Sequence, residues 1–484
     1  MGADDTRADL GHGVGVDRTP DGTGPGVRAP EGLHRGRLVM LVDNRVEGDS
    51  RVQKAARSAS DAGWDVTLLG CAATGPERTW TLGSATVRVL PLSRIQAPAG
   101  HDRQVSLTPI GALRRRLLAR GGWALRAARL ARRPVEYAQV WFWQAVMRDK
   151  AWRRLESGLW NYERILGPLI DELAPDVIHA HDFRMLGVGA RAKLRAGEAG
   201  RSVALVWDAH EFLPGVKPWR DNARWLPAHR GYEREYAPYA DAVVTVSDAL
   251  AGLLQSEHHL AERPTVVLNA PEAADARLDG ADAPADLRAL CGIDEATPLV
   301  VYAGSSSVQR GLRTVVEALP RLDGVHFAAV VGDPSAPNVA RLGTLAARLG
   351  VADRWHALPY VPHRQVVAFL AVADIGVIPI HHWPNHEIAL ITKFFEYSLA
   401  RLPIVVSDVR TMAETVRATG QGEVFAARDV GDFVRAVRAV LADPQRYRDA
   451  YDKPDTPLST WTWEAQAIKL DAIYRDLMAT ADRT

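Results

Sequence analysis

Cysteine is nearly missing from this chain: Cys71 and Cys291 are the only two in 484 residues. That excludes a disulfide framework and any zinc site built on cysteine, so a reducing cytoplasm is the expected compartment. No apolar run reaches the roughly 18 residues that a membrane helix needs. The first residues are rich in Gly, Asp and Pro and hold no apolar core, so no secretory signal is expected there. An excess of one charge is missing too, since 59 Lys+Arg face 58 Asp+Glu for a formal charge of +1. A nucleic-acid binder relying on a global basic field is therefore disfavoured. Lysine is scarce, 7 of the 59 basic residues, a skew that reads as genome composition rather than function.

What is present is alternation. Residues 1–34 lack periodicity and large apolar groups, and read as a disordered tail. Short apolar runs then recur as strands buried on both faces: 37–43, 64–70, 176–182, 202–211, 241–247 and 264–271. Amphipathic or Ala-rich stretches separate several of them, as at Ser50–Ala62 and 184–197. An Ala-, Asp- and Pro-rich linker covers about 271–287, and the pattern restarts at 299–304, 326–333, 373–380 and 402–408. Two successive sets of parallel-strand signals predict an α/β fold of two doubly wound, Rossmann-like domains. The boundaries are 35–271 and 272–457, with a last helix over 458–484. Residues 101–160 break the alternation. They carry 13 Lys/Arg against 4 Asp/Glu, a local +9, with Trp123, Trp141, Trp143, Trp152 and Trp160 interleaved. This insertion reads either as an interfacial, membrane-touching segment or as one whose tryptophans pack onto the first domain.

In parallel α/β sheets, ligands bind beyond the carboxyl ends of the strands. After 37–43, Gly48 allows a close backbone approach and Asp49 can cap the next helix. His179, His181 and His210 end two strands, followed by Asp182 and Glu211. No HExxH spacing and no GxSxG elbow supports a metalloprotease or a serine hydrolase. In the second half, LVVYAGSSSVQRGL is a strand, a Gly/Ser turn with Gly304 and Ser305, and then Arg310 before a helix, a cradle for phosphate oxygens. Further on, Lys393 and Glu396 lie three apart on one helical face. They suit a nucleoside diphosphate, cation on phosphate and carboxylate on ribose, or else form a surface ion pair.

Together the landmarks DSRVQKAARSASDAGWDVTLLG, DVIHAHD, WDAHE, ADAVVTVSDAL, VVLNAP, YAGSSSVQRGL, ADIGVIPI and TKFFEY…LPIVVSD resemble the GT-B glycosyltransferases of family 4, across roughly 37–480. The resemblance implies two facing Rossmann-like domains, a nucleotide-sugar donor in the second, an acceptor site in the first, and a C-terminal helix crossing back. It implies that Arg310 and Lys393 hold the donor diphosphate and Glu396 the ribose, while Tyr360 and Val361 fall in the nucleobase loop. His210 matches the histidine near the transferred sugar, and His181 a neighbouring acceptor-side position with Gly48 and Asp49. The family's first glutamate of E-x7-E falls at Ile388, and Glu387 is out of register, so Asn385 and the amides of Ala389, Leu390, Ile391 and Thr392 are expected to meet the donor sugar. Ser305 stands where many members carry arginine, and Arg401 where glycine is usual. The implied activity is a retaining, metal-independent glycosyltransferase using a UDP- or GDP-linked sugar as co-substrate, with no other cofactor. Its hydroxyl acceptor is a lipid-linked or polysaccharide precursor, or a soluble metabolite. A GT-B phosphorylase or a nucleotide-sugar epimerase is the alternative. The expected location is the cytoplasm, with the basic segment 101–160 able to reach an anionic membrane.

Overall fold

The apolar runs form two sheets, each covered by helices on both sides. The computed structural model describes residues 35–94, 122–216, 222–278, 280, 283–454 and 456–481, with side chains of 94, 122–132 and 481 excepted. The expected tail and the first part of the basic insertion lie outside the described residues. The first sheet comprises β1 (Arg37–Leu41), β2 (Asp65–Ala72), β3 (Arg78–Leu82), β4 (Ala85–Pro91), β5 (Val177–His181), β6 (Ala204–Ala209), β7 (Ala242–Thr245) and β8 (Thr265–Val266). Its order is β3-β4-β2-β1-β5-β6-β7-β8, parallel except for the β3–β4 hairpin. The second sheet comprises β9 (Leu299–Ala303), β10 (His326–Val331), β11 (Trp355–Pro359), β12 (Ile375–Ile378), β13 (Ile404–Ser407) and β14 (Gly422–Phe425). Its order is β11-β10-β9-β12-β13-β14, parallel throughout. β1, β5 and β9 are buried almost from end to end, which is why they read as unbroken apolar runs. The expected pair of doubly wound α/β domains is what the chain builds.

Seven helices matter here: α1 (Ser50–Asp61), α2 (Gly122–Met147), α3 (Asp182–Glu198), α4 (Trp225–Tyr236), α5 (Leu312–Ala318), α6 (Thr392–Leu399) and α7 (Trp463–Ala481). Helix α7 lies on the first sheet's side of the molecule, burying Trp463, Leu470 and Tyr474 among residues of β1, β2 and α1. Each such side chain contributes roughly 1.5–3 kcal/mol by leaving water. Polar contacts fix the register of α7: Gln466 accepts from the Leu268 amide at 3.0 Å, and Trp64 Nε1 donates to Asp471 at 2.9 Å. Trp152 is fully buried in the first core, with Trp143 and Trp160 packed partly against it. Trp141 points outward, so of the basic segment's described tryptophans three pack on the first domain and one is exposed. No described helix is long and apolar enough to cross a membrane.

Candidate functional site: the cleft between the two sheets

The carboxyl ends of β5 and β6 carry a buried ionic cluster. Asp208, the fifth residue of β6, receives Arg51 Nε at 2.9 Å and Nη2 at 2.8 Å, a two-pronged pair with both side chains almost wholly buried. Arg51 comes from the first turn of α1, and its third contact is the Val267 carbonyl at 2.8 Å. Three histidines surround the same carboxylate. His181 Nδ1 lies 3.2 Å from Asp208, His179 Nε2 3.6 Å and His210 Nε2 3.1 Å. Tyr474 of α7 closes the row at 2.7 Å from His179 Nδ1.

These rings differ in charge. Burial lowers the pKa of His179 and His181, leaving both neutral. Burial opposes charge on His210 as well, but Asp208 on one nitrogen and Asp182 on the other, 3.4 Å away, hold its pKa well above the usual imidazole value. Asp208 stays ionised: burial works against it, and Arg51 and His210 outweigh burial. Asp182 opens α3 with a left-handed φ of 63°, a conformation Asp tolerates, and this turns its carboxylate toward His210. His179, His181 and Asp208 lie close enough to suggest a metal nest. The donor set argues otherwise, because Arg51 occupies both Asp208 oxygens and a dication would sit against the guanidinium.

Across the cleft, the ends of β9 and β12 and the start of α6 carry the second cluster. Gly304 follows β9 with φ 142°, and a Cβ there would lie 2.8 Å from Lys393 Nζ. Glycine is thus what lets the ammonium approach the strand end. Lys393 is buried, with Nζ 4.9 Å over the Tyr302 ring, and Tyr302 donates to the Ser305 carbonyl at 2.8 Å. Arg310 ends a short turn before Gly311 (φ 74°), where any Cβ would overlap the Pro379 carbonyl oxygen. Its Nε is buried without a hydrogen-bond partner among the described residues. Burial, then Arg310, depresses the Lys393 pKa, against the pull of Glu396. Glu396, likewise buried, has its pKa raised by burial against Lys393 and Lys54. So the pair is no exposed i,i+3 salt bridge, but two buried groups whose charged forms are costly, with Arg310 adding to the cost on Lys393. Ile391 precedes α6 without capping it through its side chain, leaving the helix start's positive end open toward the same place.

The two lobes touch around this space. Asn269 Nδ2 donates to Thr392 Oγ1 at 3.0 Å and Ser247 donates to the Ile388 carbonyl, while Lys54 donates to the Ala270 carbonyl within the first lobe. Burial, then Arg51, lowers Lys54 to about 8. Asn385 lies against Gly215, where a Cβ would come within 2.5 Å of its Oδ1, and that buried oxygen has no partner among the described residues. Glu387 is consumed elsewhere, taking His382 at 2.6 Å and the Arg410 amide at 2.8 Å. Ala389, Leu390 and Ile391, and Thr392 at the start of α6, are half-buried.

Other predicted positions are placed as follows. His181 is wholly buried and faces Asp208 rather than open space. Asp49 caps α1 by accepting from the Val52 amide at 3.3 Å, also accepts from Asn44 at 2.8 Å, and stands beside exposed Gly48 with φ 82°. Tyr360 packs its ring against Gly332 and remains 46% exposed, and Val361 packs on the second core. Arg401 adopts φ 57°, the left-handed region that favours glycine, and pairs with Asp452 at 2.5 Å. Sequence reasoning missed the roles of Arg51, Asp208 and Glu211. Glu211 senses both His210 and Arg310, and burial followed by Asp182 pushes its pKa up to about 7. It was visible only as the carboxylate after a strand-end histidine.

A ligand's diphosphate in this cleft would restore the Lys393 ammonium. Between the depressed pKa of Lys393 and the ordinary lysine value, such binding would take up as much as about one proton. Affinity for UDP or GDP should fall as pH rises through that window. Calorimetry in two buffers of different ionisation heat reads the uptake directly, and buffer-independent heats would contradict it.

A model of glycosyl transferases group 1 matches residues 286–453, and one of glycosyltransferase family 4 matches residues 118–271. D-inositol 3-phosphate glycosyltransferase of Thermobispora bispora is 29% identical over 326 residues, 64% of this chain and 72% of that protein. Among solved structures, sucrose-phosphate synthase from Thermosynechococcus elongatus superposes with TM-score 0.64 at 16% identity, over 92% of this chain and all of that one. The Anabaena protein Alr3699/HepE in complex with UDP-glucose gives 0.60 at 15% identity, over 91% of this chain and all of that one.

Proposed function

We propose, from the premise that the chain belongs to the GT-B glycosyltransferases of the group 1 and family 4 kind, that it transfers a sugar with retention of anomeric configuration. The general reaction of such enzymes moves a sugar from a nucleotide-diphosphate donor to an acceptor. The observation that carries the finer reading is the meeting of Arg310, Lys393 and Glu396 at one strand-and-helix end, opposite His210. As the glycosidic bond to the donor phosphate breaks, negative charge grows on the departing diphosphate. Arg310, Lys393 and the start of α6 stabilise that charge in a dry site. The acceptor hydroxyl attacks the anomeric carbon from the face the phosphate leaves, and its proton passes to the departing phosphate oxygen. His210 contributes positive charge rather than a proton, since both ring nitrogens already face carboxylates. Glu396 suits the ribose hydroxyls, and Asn385 the sugar, its oxygen being buried and unpaired.

The donor is a UDP- or GDP-linked sugar. UDP-glucose is favoured because an Anabaena structure of like fold holds it, and a phosphorylated polyol is an acceptor consistent with the Thermobispora relative's name. Incubation with UDP-, GDP-, ADP- and dTDP-sugars and an acceptor panel should release nucleoside diphosphate only when donor and acceptor are both present. NMR of the product should show the donor's anomeric configuration. Epimerised donor without acceptor, or turnover that requires inorganic phosphate, would replace this reading with an epimerase or a phosphorylase.

A further inference from the structure

Helix α2 is apolar on two opposite faces, and its fold accounts for only one. Val140, Trp143 and Met147 face inward and pack on the first domain's core. On the other side Val135, Tyr137, Trp141, Phe142 and Val146 are 50–73% exposed. Pro134, Ala138 and Ala145, also exposed, fall between them at helical spacing. A helix lying in water should be polar on its outer face, and this one carries aromatic and β-branched groups over four turns. The stripe is about 18 Å long at 1.5 Å per residue, too short to span a bilayer but suited to lying in its surface.

The surroundings of the stripe indicate what covers it. At its carboxyl end, Arg148, Arg230 and Arg234 line a cavity of about 320 Å³ together with Asp149. Arg230 and Arg234 share Glu257, at 2.8 and 2.7 Å, and Arg148 has no partner among the described residues. At the stripe's other end the sequence runs through Arg126, Arg129, Arg132 and Arg133, within a segment of net +9. Apolar groups with Trp and Tyr, bracketed by arginine, complement a surface of anionic headgroups over acyl chains. A second copy of the chain would set arginine against arginine around a two-fold axis.

We infer that the outer face of α2 docks the protein on an anionic lipid bilayer, with Trp141 and Phe142 entering the interface and Arg148 meeting headgroup phosphate. This goes beyond the proposed reaction and does not depend on it. The full chain should co-sediment with vesicles of phosphatidylcholine mixed with phosphatidylglycerol, and much less with phosphatidylcholine alone. Added salt should weaken the binding. The double variant Trp141→Glu, Phe142→Glu should lower the vesicle partition coefficient at least about tenfold, since both apolar contacts and added charge oppose insertion. Arg148→Glu should give a smaller loss that is seen only with anionic vesicles. Thermal unfolding and diphosphate release with a soluble acceptor should be unchanged in both. Absence of wild-type binding to anionic vesicles, or equal binding by the double variant, would overturn the inference. So would light scattering showing a dimer that this variant converts to monomer, which would assign the face to a second copy.

Discussion

Lys393→Ala should lower kcat by about 10²–10³-fold, at least about 3 kcal/mol of transition-state stabilisation, with the fold intact. That is the scale of losing one preorganised donor aimed at developing charge. The ground for expecting so much is what Lys393 costs at rest. Its ammonium is buried beside Arg310, and burial and that neighbour together depress its pKa. Glu396 and the Tyr302 ring attract the ammonium, but burial and Arg310 outweigh them. Under the proposed function, a bound diphosphate would repay both cations, and most fully as its charge grows on bond cleavage. Initial rates across donor concentrations, with melting temperature as a check on folding, decide the matter. Near-normal turnover would remove Lys393 from the reaction. A raised KM with unchanged kcat would make it a binding residue only.

Asp208→Asn should destabilise the first domain by about 3–5 kcal/mol, the usual result of leaving a buried ion without its partner. Arg51 is almost wholly buried and has no other carboxylate within bonding distance among the described residues. The same substitution strips His210 of one of the two carboxylates that keep it charged. The sign of the pH dependence follows. The raised pKa of His210 contributes stability in full below the unfolded imidazole value of about 6.5, and this is lost as pH rises through the folded value. The depressed pKa of Asp208 contributes stability above the ordinary carboxylate value, lost as pH falls through the folded one. Urea unfolding of both proteins across pH tests this: the wild type should weaken on both sides of neutrality, and the variant should show a flatter alkaline limb. A loss under about 1 kcal/mol would mean that the cluster is not the keystone its burial suggests.

The two-domain architecture was legible because parallel strands are buried on both faces and leave continuous apolar runs, as in β1, β5 and β9. The β3–β4 hairpin was not, because β3 is a largely exposed edge strand, RTWTL, with no apolar run to mark it. Nor was β11, half-buried at the second sheet's edge. At the site, Arg310, Lys393 and Glu396 stood out from their position after a strand and at a helix start. The Arg51–Asp208 pair was hidden because its members lie 157 residues apart, and Arg51 reads as an ordinary surface arginine on an Ala-rich helix. The stripe on α2 was half visible: tryptophan among arginines signalled an unusual surface, but only the backbone separates Trp141, which faces out, from Trp143 and Trp152, which face in.

The most direct test is a crystal structure with a nucleotide sugar, or its nucleoside diphosphate, soaked into the protein. The account predicts phosphate oxygens within about 2.7–3.2 Å of both the Arg310 guanidinium and Lys393 Nζ, with ribose hydroxyls on Glu396. A diphosphate bound outside the cleft, or inside it but touching neither cation, would contradict it.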